Sequence, residues 1–156
     1  IMKLLEVGEK APNFEGQDQN DSNVSSNDFN GSKWVVYFYP KDNTPGCTAQ
    51  ACSLRDGYDD LNKHGVKVLG VSADSVKSHD KFASKFTLPF PLLSDESKEV
   101  INKFGVWGPK KFMGREYEGI HRVSFIMDEE GMVTHVIQKP KTKDHANEVL
   151  GLLNLN

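Results

Sequence analysis

The sequence predicts an α/β fold with a central mixed β-sheet flanked by helices. Three observations carry the prediction. Apolar β-type runs alternate with helix-patterned segments between residues 34 and 104, a clear hairpin and a closing helix follow, and 156 residues suffice for one full core without metals or disulfides.

Residues 15–33 are rich in Asn, Asp, Ser and Gly and predict a polar turn region, able to hold a short hairpin but no core element. The run 34–39, Trp-Val-Val-Tyr-Phe-Tyr, predicts a strand buried on both faces. A helix over 45–62 follows: Thr44 suits an N-cap, Pro45 suits the first helical position, and no further proline interrupts the stretch. Residues 66–72 predict a second strand, and Val76, His79, Phe82 and Ala83 recur at helical spacing in a helix over 75–86. Residues 89–94 predict a short edge strand, because Pro89 and Pro91 cannot donate to a central ladder. A helix over 96–104 ends at Gly105, and 105–120 predicts a long loop containing Trp107, Phe112 and Tyr117. Residues 122–127 and 132–137 flank Asp128-Glu129-Glu130-Gly131 as a hairpin, and a last helix covers 143–153. This order is that of a thioredoxin-like sandwich with N-terminal and loop insertions, occupying 1–156 as a single domain.

Cys47 and Cys52 are the only cysteines, and Cys47 falls in the first turn of the predicted helix 45–62. Orphan backbone N–H groups and the positive end of the helix dipole favour a thiolate over a thiol there, a nucleophile in an exposed, electropositive position. The strand-to-helix loop is also where reactive groups gather in open α/β sheets. Helical residues five apart have α-carbons roughly 8 to 9 Å apart and side chains about 140° apart around the axis. A disulfide needs less than about 7 Å. Bonding Cys47 to Cys52 would therefore require the first turns to unwind. The plainer alternative for Cys52, beside Ala49 and Ala51, is a buried apolar residue with no chemistry.

Other classes fit poorly. Two cysteines and the scattered His64, His79, His121, His135 and His145 lack zinc-ligand spacing, so no metal or cofactor is expected. Nor does the chain read as a disulfide-stapled secreted scaffold. A net charge of −3 without a basic run argues against nucleic acid as a partner. Apolar runs fall far short of the roughly 20 residues of a membrane span, and residues 1–10 lack a signal-peptide core, so the chain reads as cytoplasmic.

The segment Pro40-Lys41-Asp42-Asn43-Thr44-Pro45-Gly46-Cys47 resembles the Pro-x-x-x-Thr-x-x-Cys motif of peroxiredoxins. Cys52, five residues on, is similar to the arrangement of the bacterioferritin comigratory protein and peroxiredoxin Q subfamily. Phe104-Gly105-Val106-Trp107-Gly108, Phe112-Met113-Gly114 and Gly119-Ile120-His121-Arg122-Val123-Ser124-Phe125 extend the resemblance from about residue 5 to the last helix.

The resemblance implies a thiol peroxidase acting on hydrogen peroxide and organic hydroperoxides. By it, Cys47 is the peroxidatic cysteine and is oxidised to a sulfenic acid. Cys52 is the resolving cysteine, forming an intramolecular disulfide that thioredoxin or a related dithiol reduces. Thr44 would give its hydroxyl to peroxide or sulfur while capping the helix, Pro40 would shield the pocket from water, and Gly46, Thr44 and Arg122 would contact substrate. Arg122 would hold both thiolate and leaving oxygen. The subfamily suggests a monomer or weak dimer. Pro40 also reads as a strand terminator, Gln50 as an exposed polar residue, Trp107 and Phe112 as packing over the helix, and His121 as structural. Two rival functions remain. One is a protein disulfide oxidoreductase, which the four-residue spacer disfavours relative to Cys-x-x-Cys; the other is a redox-switched binding or holdase protein.

Overall fold

The protein is described by a computed structural model covering residues 2–155. Strand β3 (Lys33–Phe38) is the spine of a seven-stranded mixed sheet. It pairs in parallel with β4 (Val66–Ser72), which pairs in parallel with β5 (Leu92–Ser94). On its other side β3 runs antiparallel to β8 (Val123–Met127), which forms the predicted hairpin with β9 (Val133–Ile137). Helices α1 (Pro45–Asp56), α2 (Tyr58–Lys63), α3 (Val76–Phe86), α4 (Glu99–Lys103) and α5 (His145–Leu152) complete the thioredoxin-like arrangement that the element order predicts.

Period-two alternation divides β3 between two cores. Trp34, Val36 and Phe38 meet Phe14, Ile101, Phe104 and Phe125 on one face, whereas Val35 and Tyr37 meet Cys47, Ala51, Leu54, Phe82 and Val149 on the other. Burial on both faces explains the unbroken apolar run that marks the strand in the sequence. It also seats α1, and Cys47 with it, against the sheet.

Several expectations need correction. Residues 15–33 do hold a hairpin, β1 (Glu15–Gln17) with β2 (Asn23–Ser25), but they also contribute to the core. Val24 and Phe29 are buried, and Phe29 stacks on Trp34 with ring centroids 4.4 Å apart. β5 is not an edge strand: β1 pairs along its outer side. The prolines lie before β5, and Pro91 serves the ladder as an acceptor only, its carbonyl taking the Gly70 N–H. The helix drawn over 45–62 breaks at Gly57. A Cβ built there would lie 2.3 Å from that of Ala146, so close packing of α5 requires glycine at the junction. The helix expected over 96–104 is reduced to α4 by a turn in which Lys98 takes φ of +65°.

The largest revision concerns 105–120. This stretch is a two-stranded hairpin, β6 (Trp107–Phe112) with β7 (Arg115–Ile120), separate from the main sheet. Its turn is Met113-Gly114, with φ of +50° and +80°. Two successive positive φ values suit the right-handed twist of a hairpin, and methionine, an uncommon residue there, masks the signal. Neither aromatic packs over α1 as expected: Trp107 is half-buried against the core of Ile101, Phe104 and Phe125 on the other face of the sheet, and Phe112 is 65 % exposed at the hairpin tip.

Candidate active site

The register of β3 and β8 builds the site. Phe38 pairs with Val123, so β8 begins where β3 ends, and Arg122 stands beside the segment that leads from β3 into α1. From there Nη2 of Arg122 donates to Sγ of Cys47 at 3.2 Å, and Nη1 donates to Oε1 of Gln50 at 2.8 Å. Cys47 and Gln50 are three apart on α1 and share a helix face. A planar guanidinium can bridge both; a point-like ammonium cannot match that fork. Gly46 makes the room, because a Cβ there would sit 3.1 Å from Nη2.

Thr44 is the N-cap by backbone conformation, and its carbonyl accepts the Thr48 N–H at 2.8 Å. Its hydroxyl does not cap the helix as expected; it donates to the Lys41 carbonyl at 3.0 Å. That bond folds the loop back on itself and leaves the oxygen's lone pairs to accept. Pro45 lacks an N–H, so the first-turn donors without helical partners are the amides of Gly46 and Cys47. The N-terminal partial charge of α1 and the Arg122 guanidinium thus approach one sulfur.

Cys47 is not exposed: its relative accessibility is 1 %. Gln50 is fully buried, contrary to the reading of an exposed polar residue, because the Cys47 face of α1 turns toward the sheet. Cys52 is half-buried in the same helix, and both thiols are free. Pro40 is half-buried where β3 gives way to the loop. His121 donates from Nε2 to the Pro109 carbonyl at 3.0 Å, a structural bond within the hairpin.

Burial and charge shape the surroundings. The Tyr37 hydroxyl is buried without a hydrogen-bond partner among the described residues, and its pKa is pushed well above that of an ordinary tyrosine, first by burial and then by the negative charges of Asp42 and Cys47. Gln50 Nε2 is likewise buried and unpartnered among the described residues. Lys110 on β6 is a second cation near the site, donating to the Ile120 carbonyl at 2.8 Å. Burial lowers its pKa, repulsion from Arg122 lowers it further, and Cys47 opposes both. Sequence reading missed Lys110 because its strand looked like a loop. Asp42, Asp74 and His79 bring possible metal-ligand atoms within 4.8 Å of one another, but hydrogen bonds within the protein occupy them. Among the described residues, no helix is long and apolar enough to cross a membrane.

Comparison with known proteins agrees with this geometry. The AhpC/TSA family model matches residues 7–136. Peroxiredoxin Bcp of Escherichia coli is 50 % identical over 152 residues, covering 97 % of both chains, and Peroxiredoxin Bcp of Bacillus subtilis is 42 % identical over 149 residues, 96 % of this chain and 95 % of that one. A cysteine-to-serine mutant of Xylella fastidiosa PrxQ superposes with a TM-score of 0.91 at 30 % identity, covering 97 % of each chain. The Xanthomonas campestris bacterioferritin comigratory protein gives 0.84 at 36 % identity over 90 % of each. A buried cysteine at a helix N-terminus under an arginine, on a thioredoxin-like sheet with these relatives, places the chain in the AhpC/TSA family as a peroxiredoxin of the Bcp/PrxQ type.

Proposed function

We propose that this chain reduces hydrogen peroxide and organic hydroperoxides through Cys47, with Cys52 as the internal resolving thiol. The observation that carries the reading is the contact of Arg122 with Cys47 Sγ at the N-terminus of α1. The thiolate attacks one peroxide oxygen, and an S–O bond forms as the O–O bond breaks. The departing oxygen takes a proton and leaves as water or an alcohol, and Cys47 becomes a sulfenic acid. Arg122 lies where it can hold the sulfur before attack and the charge on the leaving oxygen during it. Thr44, with lone pairs free, and Gly46, with no side chain, border the approach, and Pro40 limits water from the strand side.

In the second step the Cys52 thiol displaces the sulfenic hydroxyl as water and forms a disulfide with Cys47. Both residues lie within continuous α1, so their α-carbons are roughly 8 to 9 Å apart and the first turns must unwind before sulfur meets sulfur. An external dithiol such as thioredoxin then reduces the bond. The same separation disfavours a protein disulfide oxidoreductase, whose two sulfurs must meet without unfolding. We read residues 1–156 as one domain acting as a monomer or weak dimer in a reducing cytoplasm.

The test is stopped-flow reaction of reduced protein with one equivalent of hydrogen peroxide, followed by tryptophan fluorescence and a count of free thiols. Rapid loss of both thiols is expected. Cys52→Ser should keep the first oxidation and lose efficient thioredoxin-linked turnover; cycling at the wild-type rate would refute the intramolecular scheme. Absence of a fast reaction would favour a redox-switched binding protein instead.

A further inference from the structure

We infer that Asp42 and His79 form a positioning pair that fixes the loop bearing Thr44 and Cys47 and marks where unwinding of α1 stops. The effect on individual steps rests on the peroxidase reading. The geometry of the pair does not.

Asp42 lies two residues before Thr44, in a connection where a carboxylate would ordinarily be solvated. It is buried instead. Its Oδ1 accepts the Tyr39 hydroxyl at 2.6 Å, and its Oδ2 accepts the Ser78 hydroxyl at 2.8 Å and His79 Nδ1 at 2.7 Å. Its backbone N–H donates to Asp74 Oδ2 at 2.9 Å, and that oxygen also takes the Ser72 hydroxyl at 2.6 Å. His79 is fully buried and its Nε2 faces the Leu93 carbonyl at 3.0 Å. Both ring nitrogens of His79 are therefore engaged, one on the Asp42 carboxyl and one on a backbone carbonyl, which fixes the ring in place. The pair is buried, and both side chains have their hydrogen bonds satisfied.

The partners come from the ends of β3, β4 and β5 and the first turn of α3, and they hold Asp42 of the cysteine loop directly or through His79 and Asp74. Immediately beyond Asp42 the chain changes character. Asn43 takes φ of +60°, and among the described residues its side chain is held only by an exposed contact from Lys85 at 3.4 Å. Asp42 is thus the last firmly anchored position before the reactive segment. At the far end, Ser53 Oγ accepts the His145 N–H at 3.2 Å, and Gly57 packs on Ala146. Residues 43–52 lie between these anchors, with both cysteines inside. A buried, fully hydrogen-bonded polar pair contributes little net stability but strongly penalises loss of either partner, which suits a fixed point around which a segment must fold and unfold repeatedly.

The experiment separates the two chemical steps in His79→Gln and in the milder Tyr39→Phe, which removes only the hydroxyl bond. In folded variants, the rate constant for Cys47 oxidation by hydrogen peroxide should fall at least tenfold for His79→Gln and about two- to fivefold for Tyr39→Phe. The rate of Cys47–Cys52 disulfide formation should be unchanged or faster. A purely structural role would lower urea stability and leave the peroxide step within twofold of wild type, which would overturn the inference. If His79→Gln does not fold, Tyr39→Phe combined with Ser78→Ala carries the same test. Hydrogen exchange on diamide-oxidised protein gives an answer independent of peroxide chemistry. Wild type should retain protection at 39–42 while 43–52 opens, and Tyr39→Phe should lose part of it. Opening of 39–42 in oxidised wild type would refute the hinge even if peroxide turnover is normal, and an intact hinge in a protein inert to peroxide would refute only the peroxidase reading.

Discussion

Replacing Arg122 by methionine tests the site most directly. The substitution keeps much of the side chain's length and removes two hydrogen bonds, 3.2 Å to Cys47 Sγ and 2.8 Å to Gln50 Oε1. A hydrogen bond from a charged donor contributes about 1.5–3 kcal/mol. If that amount is lost from the transition state, oxidation of Cys47 slows by roughly 10- to 150-fold. Stability falls separately, because the buried Gln50 carboxamide, whose Nε2 already lacks a partner among the described residues, loses the partner of its oxygen too. That costs about 1–3 kcal/mol. Gln50→Met in the same chain should restore most of the stability and none of the rate, since it removes the orphaned amide without replacing the cation. Arg122→Lys keeps the charge but cannot span both partners, and should fall between wild type and Arg122→Met in rate. Stopped-flow oxidation with hydrogen peroxide gives the rate constant, and urea unfolding of reduced protein gives the stability. Oxidation of Arg122→Met within threefold of wild type would refute the role assigned to the guanidinium.

Gly46→Ala should separate stability from activity: alanine improves an early helical position by up to about 1 kcal/mol, yet its Cβ, 3.1 Å from Nη2, displaces the guanidinium and slows peroxide oxidation several-fold in the same stopped-flow assay. Gly105→Ala should destabilise the fold by at least about 2 kcal/mol in urea, because Gly105 has φ of +75° and a Cβ there would meet the Lys3 carbonyl oxygen at 1.8 Å. His145 should make stability depend on pH. Burial holds its pKa below the usual 6.5, outweighing the opposing effect of Glu148. Above 6.5 it is neutral folded or unfolded, and as pH falls toward the lower folded value the unfolded chain takes up the proton first, so stability declines. Urea midpoints between pH 7 and 5 should show this decline, and His145→Asn should flatten it; an identical profile in the variant would contradict the assignment.

The chain's local order was written in its residues. The unbroken apolar run 34–39 announced a strand buried on both faces, Thr44-Pro45 announced a helix start, and that start placed Cys47 among orphan amide donors. These features depend on neighbours within a few positions, so sequence pattern reports them. The Pro-x-x-x-Thr-x-x-Cys motif and the five-residue step to Cys52 carried the family and the requirement for unwinding for the same reason.

Tertiary structure decided what depends on distant contacts. Arg122 is 75 residues from Cys47, and only the antiparallel register of β3 with β8 brings its guanidinium to the sulfur. Gln50 looked like a solvated helix residue because its burial is set by the sheet beneath it, not by its neighbours in α1. The pairing of Asp42 with His79, 37 residues away, was hidden because an aspartate in a polar loop and a histidine on an apolar helix face each look ordinary alone. The β6–β7 hairpin went unseen because methionine occupies a turn position usually held by glycine or asparagine. The sequence determined which residues could react. The packing of strand ends around the start of α1 determined which of them meet, because hydrogen bonds and charges act over a few ångströms of space whatever their separation along the chain.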